Sequence, residues 1–463
     1  MSAEDKNNLV RTLTPWACVI MLLLTVVWFI YAGPAWRRHQ AEAKIQTVEK
    51  MLEENSGSFY NMSSPQPHWL GLEDKIPVSS GWIERKMLSP LRNWQREGGI
   101  PRWDCIQVDV KEFSPKQRLK IYDLLQGFQI GDFTVLHATD ADLRMIGSRL
   151  GRLDQLVLFG ASVTDAGMKE LGRLRQLSSL YLANTAITDA GVKELSRISG
   201  LQSLNLSQTQ VTDVGVKELG RIPGLQRLNL SQTQVTDAGI KELCKFHKLT
   251  HLWLEKTAVT DAGLKEIGGL AALDTLNLSE TAVTDAGLKE LAPLTELRVL
   301  RLDKTRVTDA GMKDLIGFAQ LSDLRLADTA ITDAGLKIIG SLAELQELNL
   351  MRTRITDAGL GELGRLAKLR TLNVSRTAVT DAGLPALVKI PFLTCLNLNK
   401  TAVTDAGLPA LAGLPNLSEL RLGQTISSTA VSALVSKSKS LKNVETLAED
   451  CEESEWIFPW WRL

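Results

Sequence analysis

The chain has 463 residues, 44% of them hydrophobic, with 53 basic and 53 acidic side chains. This length exceeds one ordinary domain, and a net charge of zero argues against nucleic acid as the partner, because surfaces that bind it are usually basic. The five cysteines (Cys18, Cys105, Cys244, Cys395 and Cys451) are odd in number and widely spaced, which excludes a disulfide framework but leaves room for one bridge such as Cys105–Cys451.

Residues 1–14 read as an N-terminal tail. No charged residue stands between Arg11 and Arg37, and the run Pro15-Trp-Ala-Cys-Val-Ile-Met-Leu-Leu-Leu-Thr-Val-Val-Trp-Phe-Ile-Tyr-Ala32 is almost wholly apolar. A helix crossing a bilayer needs about 20 such residues. Trp16, Trp28, Tyr31 and Trp36 lie near its ends, where amphipathic rings favour the interface. Residues 15–36 are therefore expected to be an uncleaved transmembrane helix, making this a single-pass membrane protein. A cleaved signal has a shorter apolar core, and Pro34 directly after Ala32-Gly33 would hinder cleavage. Lys6 and Arg11 before the segment and Arg37, Arg38, Lys44 and Lys50 after it leave the side of the following domain undecided. Residues 37–54 predict a helical stalk, with Ile45, Val48 and Leu52 in one apolar stripe. Residues 55–80, rich in Ser, Pro and Gly, read as a linker. Residues 81–136, with Trp82, Trp94 and Trp103, read as an N-terminal cap.

Repetition dominates residues 137–447. Thr-Asp-Ala-Gly, once Thr-Asp-Val-Gly, occurs eleven times, each 24 residues after the last. One unit reads Leu297-Arg-Val-Leu-Arg-Leu-Asp-Lys-Thr-Arg-Val-Thr-Asp-Ala-Gly-Met-Lys-Asp-Leu315. Its first half alternates, as a strand with one buried face does, and its second half shifts to helical spacing. Such a unit cannot bury its own apolar face, so units must stack, with strands forming a parallel sheet and helices packing side by side. Asp165, Asp189, Asp213, Asp237, Asp261, Asp285, Asp309, Asp333, Asp357, Asp381 and Asp405 are expected to cap the helix starts, each contributing about 1 kcal/mol. Gly167 and its equivalents are expected to allow close approach to the neighbouring turn. The threonine column from Thr185 to Thr425 is expected to bond backbone groups between adjacent coils. The pattern degrades at both ends: Asp142 stands where the repeats have Gly, and Thr425-Ile-Ser-Ser-Thr loses one residue and the Asp.

These residues resemble the leucine-rich repeat family, in its 24-residue class with T-D-A-G-L after the strand. The resemblance covers about residues 139–447 and implies an α/β solenoid: a curved horseshoe with the parallel sheet on its concave face and helices on its convex face. With the N-terminal anchor and Arg37-Arg38-His-Gln-Ala-Glu-Ala43 behind it, the chain is similar to membrane-anchored leucine-rich repeat proteins of planctomycete bacteria. The repeat core also resembles eukaryotic F-box substrate adaptors, but no F-box segment precedes it and threonine replaces the cysteine usual there.

The outward central column runs Val157, Tyr181, Asn205, Asn229, Trp253, Asn277, Arg301, Arg325, Asn349, Asn373, Asn397, Arg421. Its asparagines read as a ladder of amides on a solvated sheet. The departures are more informative: Tyr181, His251, Trp253, Glu255, Arg301, Asp303, Asp323 and Arg325 form the candidate partner-binding set, since exposed Trp, Tyr and Arg dominate binding energies. Cys244-x-x-His247-x-x-x-His251 crosses from helix end to strand, so its side chains should diverge, and no metal is expected. The tail 448–463 is acidic and then aromatic, and reads as a lid over the last repeat or as an interfacial membrane contact. No nucleophile–base pair and no phosphate-binding loop appears. The sequence therefore predicts a non-enzymatic scaffold for a protein partner, without cofactor or small-molecule substrate. A structural envelope spacer, favoured by the regular repeat, and an F-box-like recognition subunit are the other readings.

Overall fold

The computed structural model describes residues 102–111, 115–125, 129–438 and 440–447. The anchor over 15–36, the stalk, the linker, the first part of the cap and the tail 448–463 lie outside the described residues. Among those described, no helix is long and apolar enough to cross a membrane. The chain divides into two compact units between Phe159 and Gly160.

In the first unit, strands β1 (Arg102–Asp109), β2 (Gln129–Leu136) and β3 (Leu153–Phe159) alternate with helices Pro115–Leu125 and Asp140–Arg149. Both strand pairings are parallel, β1 with β2 and β2 with β3. Residues 102–136, read from sequence as part of a cap, are thus themselves built as strand–helix–strand. Tyr122, Ile130, Phe133, Leu143, Ile146, Leu153 and Leu156 form the core. Asp142 is fully buried within it. Its Oδ2 accepts from Thr139 N at 2.8 Å, Thr139 Oγ1 at 2.7 Å and Arg118 Nη1 at 2.7 Å. Its Oδ1 accepts from the Tyr122 hydroxyl at 3.2 Å. The third residue of the helix reaches back to its start, satisfying a backbone N–H that the helix itself cannot.

Among its described residues the second unit carries twelve parallel strands: β4 (Ser179–Tyr181), β5 (Ser203–Asn205), β6 (Arg227–Asn229), β7 (His251–Trp253), β8 (Thr275–Asn277), β9 (Val299–Arg301), β10 (Asp323–Arg325), β11 (Glu347–Asn349), β12 (Thr371–Asn373), β13 (Cys395–Asn397), β14 (Glu419–Gly423) and β15 (Asn443–Leu447). Each pairs with the next, and the register steps by 24 residues throughout, as in Leu276↔Leu300 and Leu300↔Leu324. The period found in the sequence is therefore the length of one coil. Leu300 and Leu302, with the helical Met312 and Leu315, are fully buried between sheet and helices, and the other coils repeat this core.

Two expectations about fixed residues change. Thr188, not Asp189, caps its own helix: the Thr188 hydroxyl accepts from Ala190 N at 3.2 Å. The aspartate, already the first helical residue, turns to the following coil. Asp165 Oδ1 accepts from Thr188 N at 2.8 Å and Gly191 N at 3.0 Å, and Oδ2 from Thr188 Oγ1 at 2.6 Å. The same bonds to the next Thr recur from Asp189 to Asp381, and Asp405 serves Ser427 at 2.8 Å despite the missing residue. Each carboxylate thus satisfies orphan N–H groups of the next helix, and the column is a ladder between coils. The glycine expectation gains its reason here. A Cβ on Gly311 would stand 2.5 Å from Asp285 Oδ1, so the glycine leaves room for the previous rung.

The threonine column, conversely, bonds within its own coil. Thr185 Oγ1 donates to Leu182 O at 2.7 Å, closing a turn whose third residue, Asn184, has φ of 56°. The same position is left-handed in Gln208, Gln232, Lys256, Glu280, Lys304 and onward to Lys400, and only one coil before Asn184 is it a glycine, Gly160, with φ of 60°. Such a conformation costs a side-chain-bearing residue roughly 1–2 kcal/mol. The buried hydroxyl bond, repeated in every coil from Thr185 to Thr401, holds the turn in place.

Candidate functional site: the open sheet face

On each three-residue strand the middle leucine points to the core, so the first and third residues, and the residue two further on, line the face turned away from the helices. Three columns result, and on β7, β9, β10 and β11 they depart from the Ser, Thr and Asn that fill β5, β8 and β12.

The predicted residues fall into two groups joined by β8. On β7 the rings of His251 and Trp253 lie 5.7 Å apart at 36°, both half-buried. Burial, and then Arg227, hold the His251 pKa below its usual value. Glu255 accepts from Asn277 Nδ2 at 3.2 Å. From β8, Ser279 Oγ lies 3.4 Å from Asp303 Oδ2, which ties the aromatic group to the charged one. Asp303 Oδ1 accepts from Ala327 N at 2.7 Å on the following coil. Asp323 lies between two guanidiniums, 3.7 Å from Arg301 and 3.4 Å from Arg325, and Arg325 also approaches Glu347 at 3.9 Å. Tyr181, on β4, is separated from Trp253 by β5 and β6 and stands apart from both groups.

The electrostatics follow from enclosure. The side chains of Arg301 and Arg325 retain only 12% of their exposure. Burial pushes the Asp303 carboxyl up to about 6, against the Ala327 N–H and the two arginines, which favour its charge. Burial and the neighbouring Arg325 charge lower the Arg301 pKa. Burial opposes the charge on Arg325 too, yet Asp323, Asp303 and Glu347 outweigh it and its pKa lies above the usual value. Burial, then Asp323, raise Glu347. This is a self-compensated patch of charges held out of water.

Sequence reasoning missed Glu347, Asn277 and Ser279. All three stand in the outward columns, and reading every column across neighbouring coils would have found them. The asparagines also differ from the solvated ladder expected: Asn229, Asn277, Asn373 and Asn397 are buried. Each uses its Oδ1 to accept the backbone N–H two residues on, as Asn229 does from Ser231 N at 2.9 Å. Among the described residues, no group of three or more His, Cys, Asp or Glu side chains is arranged to hold a metal ion.

Six stretches, residues 201–220, 224–244, 273–292, 344–364, 365–388 and 389–412, match the leucine-rich repeat family. No curated protein matches the sequence. Among solved structures, an internalin from Listeria monocytogenes is 24% identical with a TM-score of 0.51, the match covering 65% of this chain and 82% of that one. A leucine-rich repeat protein of Leptospira interrogans is 20% identical with a TM-score of 0.51, covering 74% of this chain and 90% of that one. At these identities the likeness is one of fold, and the array is a leucine-rich-repeat solenoid. Leucine-rich repeat proteins generally act as protein-binding scaffolds, and the family is typically non-catalytic.

Proposed function

We propose that this chain is a non-enzymatic, membrane-tethered scaffold that binds a protein partner on the open face of its repeat sheet. The observation that carries the reading is the continuous patch from His251 and Trp253 through Asn277 and Ser279 to Asp303, Asp323 and the two arginines. Half-buried Trp and Arg in a fixed frame are the residue types and the setting of binding hot spots. The tether rests on the uncharged, almost wholly apolar stretch between Arg11 and Arg37.

Crosslinking in native membranes, followed by recovery of the full chain, tests this. The chain is expected in the carbonate-washed membrane fraction with a reproducible crosslinked partner. Trp253→Ala is expected to weaken that partner's binding by roughly 30-fold, the effect of losing about 2 kcal/mol at a hot spot. Recovery unchanged by Trp253→Ala overturns the assignment of the face, and release by carbonate overturns the tether.

A further inference from the structure

The third strand residue forms one column along the open face, and from β5 to β14 it is asparagine, tryptophan or arginine in every coil. In all six asparagines the Oδ1 is committed. It accepts the backbone N–H of the residue two further on, at 2.9 Å for Asn205, Asn229 and Asn397, 3.0 Å for Asn277 and Asn373, and 3.1 Å for Asn349. A backbone N–H cannot donate to an amide nitrogen, so this bond fixes which end of each amide faces its own chain. Only the Nδ2 hydrogens remain for the open face. The indole of Trp253 and the guanidiniums of Arg301, Arg325 and Arg421 are likewise donors only. Ten successive coils therefore carry N–H groups along one line with a step of about 4.8 Å; Asn205 and Asn349 are the asparagines left partly exposed, the other four being buried.

Where the row meets an acceptor inside the protein, that acceptor is a carboxylate: Glu255 for Asn277 at 3.2 Å, Asp323 for Arg325 at 3.4 Å and Glu445 for Arg421 at 2.8 Å. Arg301 also faces Asp323, at 3.7 Å through Nη2. Asn397 Nδ2 and Arg301 Nε are enclosed and have no acceptor. Buried donors of this kind are uncommon, and their concentration on one line gives the face a chemical polarity that a solvated sheet would lack.

We propose that this row takes an extended, acceptor-rich peptide segment of the partner, lying across the strands, with backbone carbonyls and Asp, Glu, Asn or Gln side chains meeting the N–H groups. A helix offers only its side-chain acceptors, because its carbonyls are spent on its own N–H groups, whereas an extended segment offers both kinds. An extended segment of about nine residues spans the six strand steps from Asn205 to Asn349. The inference rests on the sheet face being the binding face, as proposed above.

The test uses the full chain in detergent micelles and a library of random 12-residue peptides displayed on phage. One enriched sequence is synthesised and titrated against the parent and three variants. Asn205→Asp with Asn349→Asp keeps an oxygen for the N–H of Ser207 and Met351 but removes the outward donors. Ser203→Asp adds a carboxylate to the same face without touching the row. Trp253→Ala removes the anchor. The double variant is expected to bind at least roughly tenfold more weakly, the loss of two hydrogen bonds, with Ser203→Asp within about twofold of the parent. The bound peptide is expected to be extended in transferred-NOE spectra. Failure to enrich any peptide, a helical bound peptide, or equal affinity for parent and double variant overturns the proposal. Loss with Trp253→Ala alone overturns the donor row and leaves the binding face standing; indifference to every variant removes both. Should the double variant not fold, Asn349→Asp by itself carries the same comparison.

Discussion

The two units solve one problem in two ways. A helix start leaves N–H groups without partners, and both units answer with an aspartate that accepts from a threonine N–H and hydroxyl. In the first unit the aspartate is Asp142, inside the same helix as Thr139 and three residues away. In the second it comes from the coil before, 23 residues back, as with Asp285 and Thr308 at 2.7 Å and 2.6 Å. The glycine of each later repeat exists to admit that visiting carboxylate. Asp142 occupies the glycine's place in the repeat and supplies the carboxylate itself. A residue that looks like decay of the pattern is thus the pattern's function carried out locally.

The largest expected effect breaks the first solution. Asp142→Ala leaves Arg118, Tyr122 and Thr139 without their shared acceptor, and breaking a buried ion pair by removing one partner costs about 3–5 kcal/mol. Asp142→Gly, which restores the repeat pattern, is expected to destabilise the first unit almost as much. Chemical denaturation followed by hydrogen exchange in helix Asp140–Arg149 measures both, and a neutral Asp142→Gly would refute the comparison. Asp285→Ala is expected to cost less, about 2–3 kcal/mol, because its acceptor bonds are partly open to water. Hydrogen exchange should rise at Thr308 and Gly311, one coil beyond the substitution, and stay unchanged in the helix Asp285–Glu290 that carries it.

The next prediction concerns pH. The Asp303 carboxyl titrates at about 6 in the fold, above its unfolded value near 3.9. The stability it contributes is therefore fully present below that unfolded value and is lost as pH rises through about 6. Asp303→Asn keeps an acceptor for Ala327 N–H and abolishes this titration. Melting temperatures at pH 5 and pH 7.5 should show the variant gaining at the higher pH, by on the order of 2 kcal/mol. The smallest effect is a gain. Lys256→Gly relieves a left-handed residue with φ of 54°, and the melting temperature should rise by the equivalent of about 0.5–1 kcal/mol.

The sequence made the second unit legible because one period carried both strand and helix patterns, so strand order, core leucines and register all follow from it. The first unit was less legible. Its register advances 27 residues from Arg102 to Gln129 and 23 from Ile130 to Leu153, so no period links its strands. The aspartates were assigned to their own helices because local capping is visible in sequence, while a partner 23 residues away becomes visible only when coils are stacked. The same holds for the site. Trp253 and the arginines stand out by residue type, but the orientation of the asparagines is set by a hydrogen bond two residues on that residue type does not announce.

The ladder also bears on how such an array changes length. Every unit brings one carboxylate for the unit after it and one threonine–glycine pair for the unit before it. Duplicating a stretch of 24 residues therefore adds one complete rung and breaks none, wherever in the array the copy falls. Residues 201–224 and 225–248, which share Leu-Asn-Leu-Ser-Gln-Thr-Gln-Val-Thr-Asp, have the form of such a copy. An insertion that is not a whole number of coils has no such neutrality: where the coil shortens by one residue, Asp405 keeps the Ser427 N–H but meets neither the threonine nor the glycine of a full rung. The number of coils is in this sense a free parameter of the molecule, whereas the length of a coil is not.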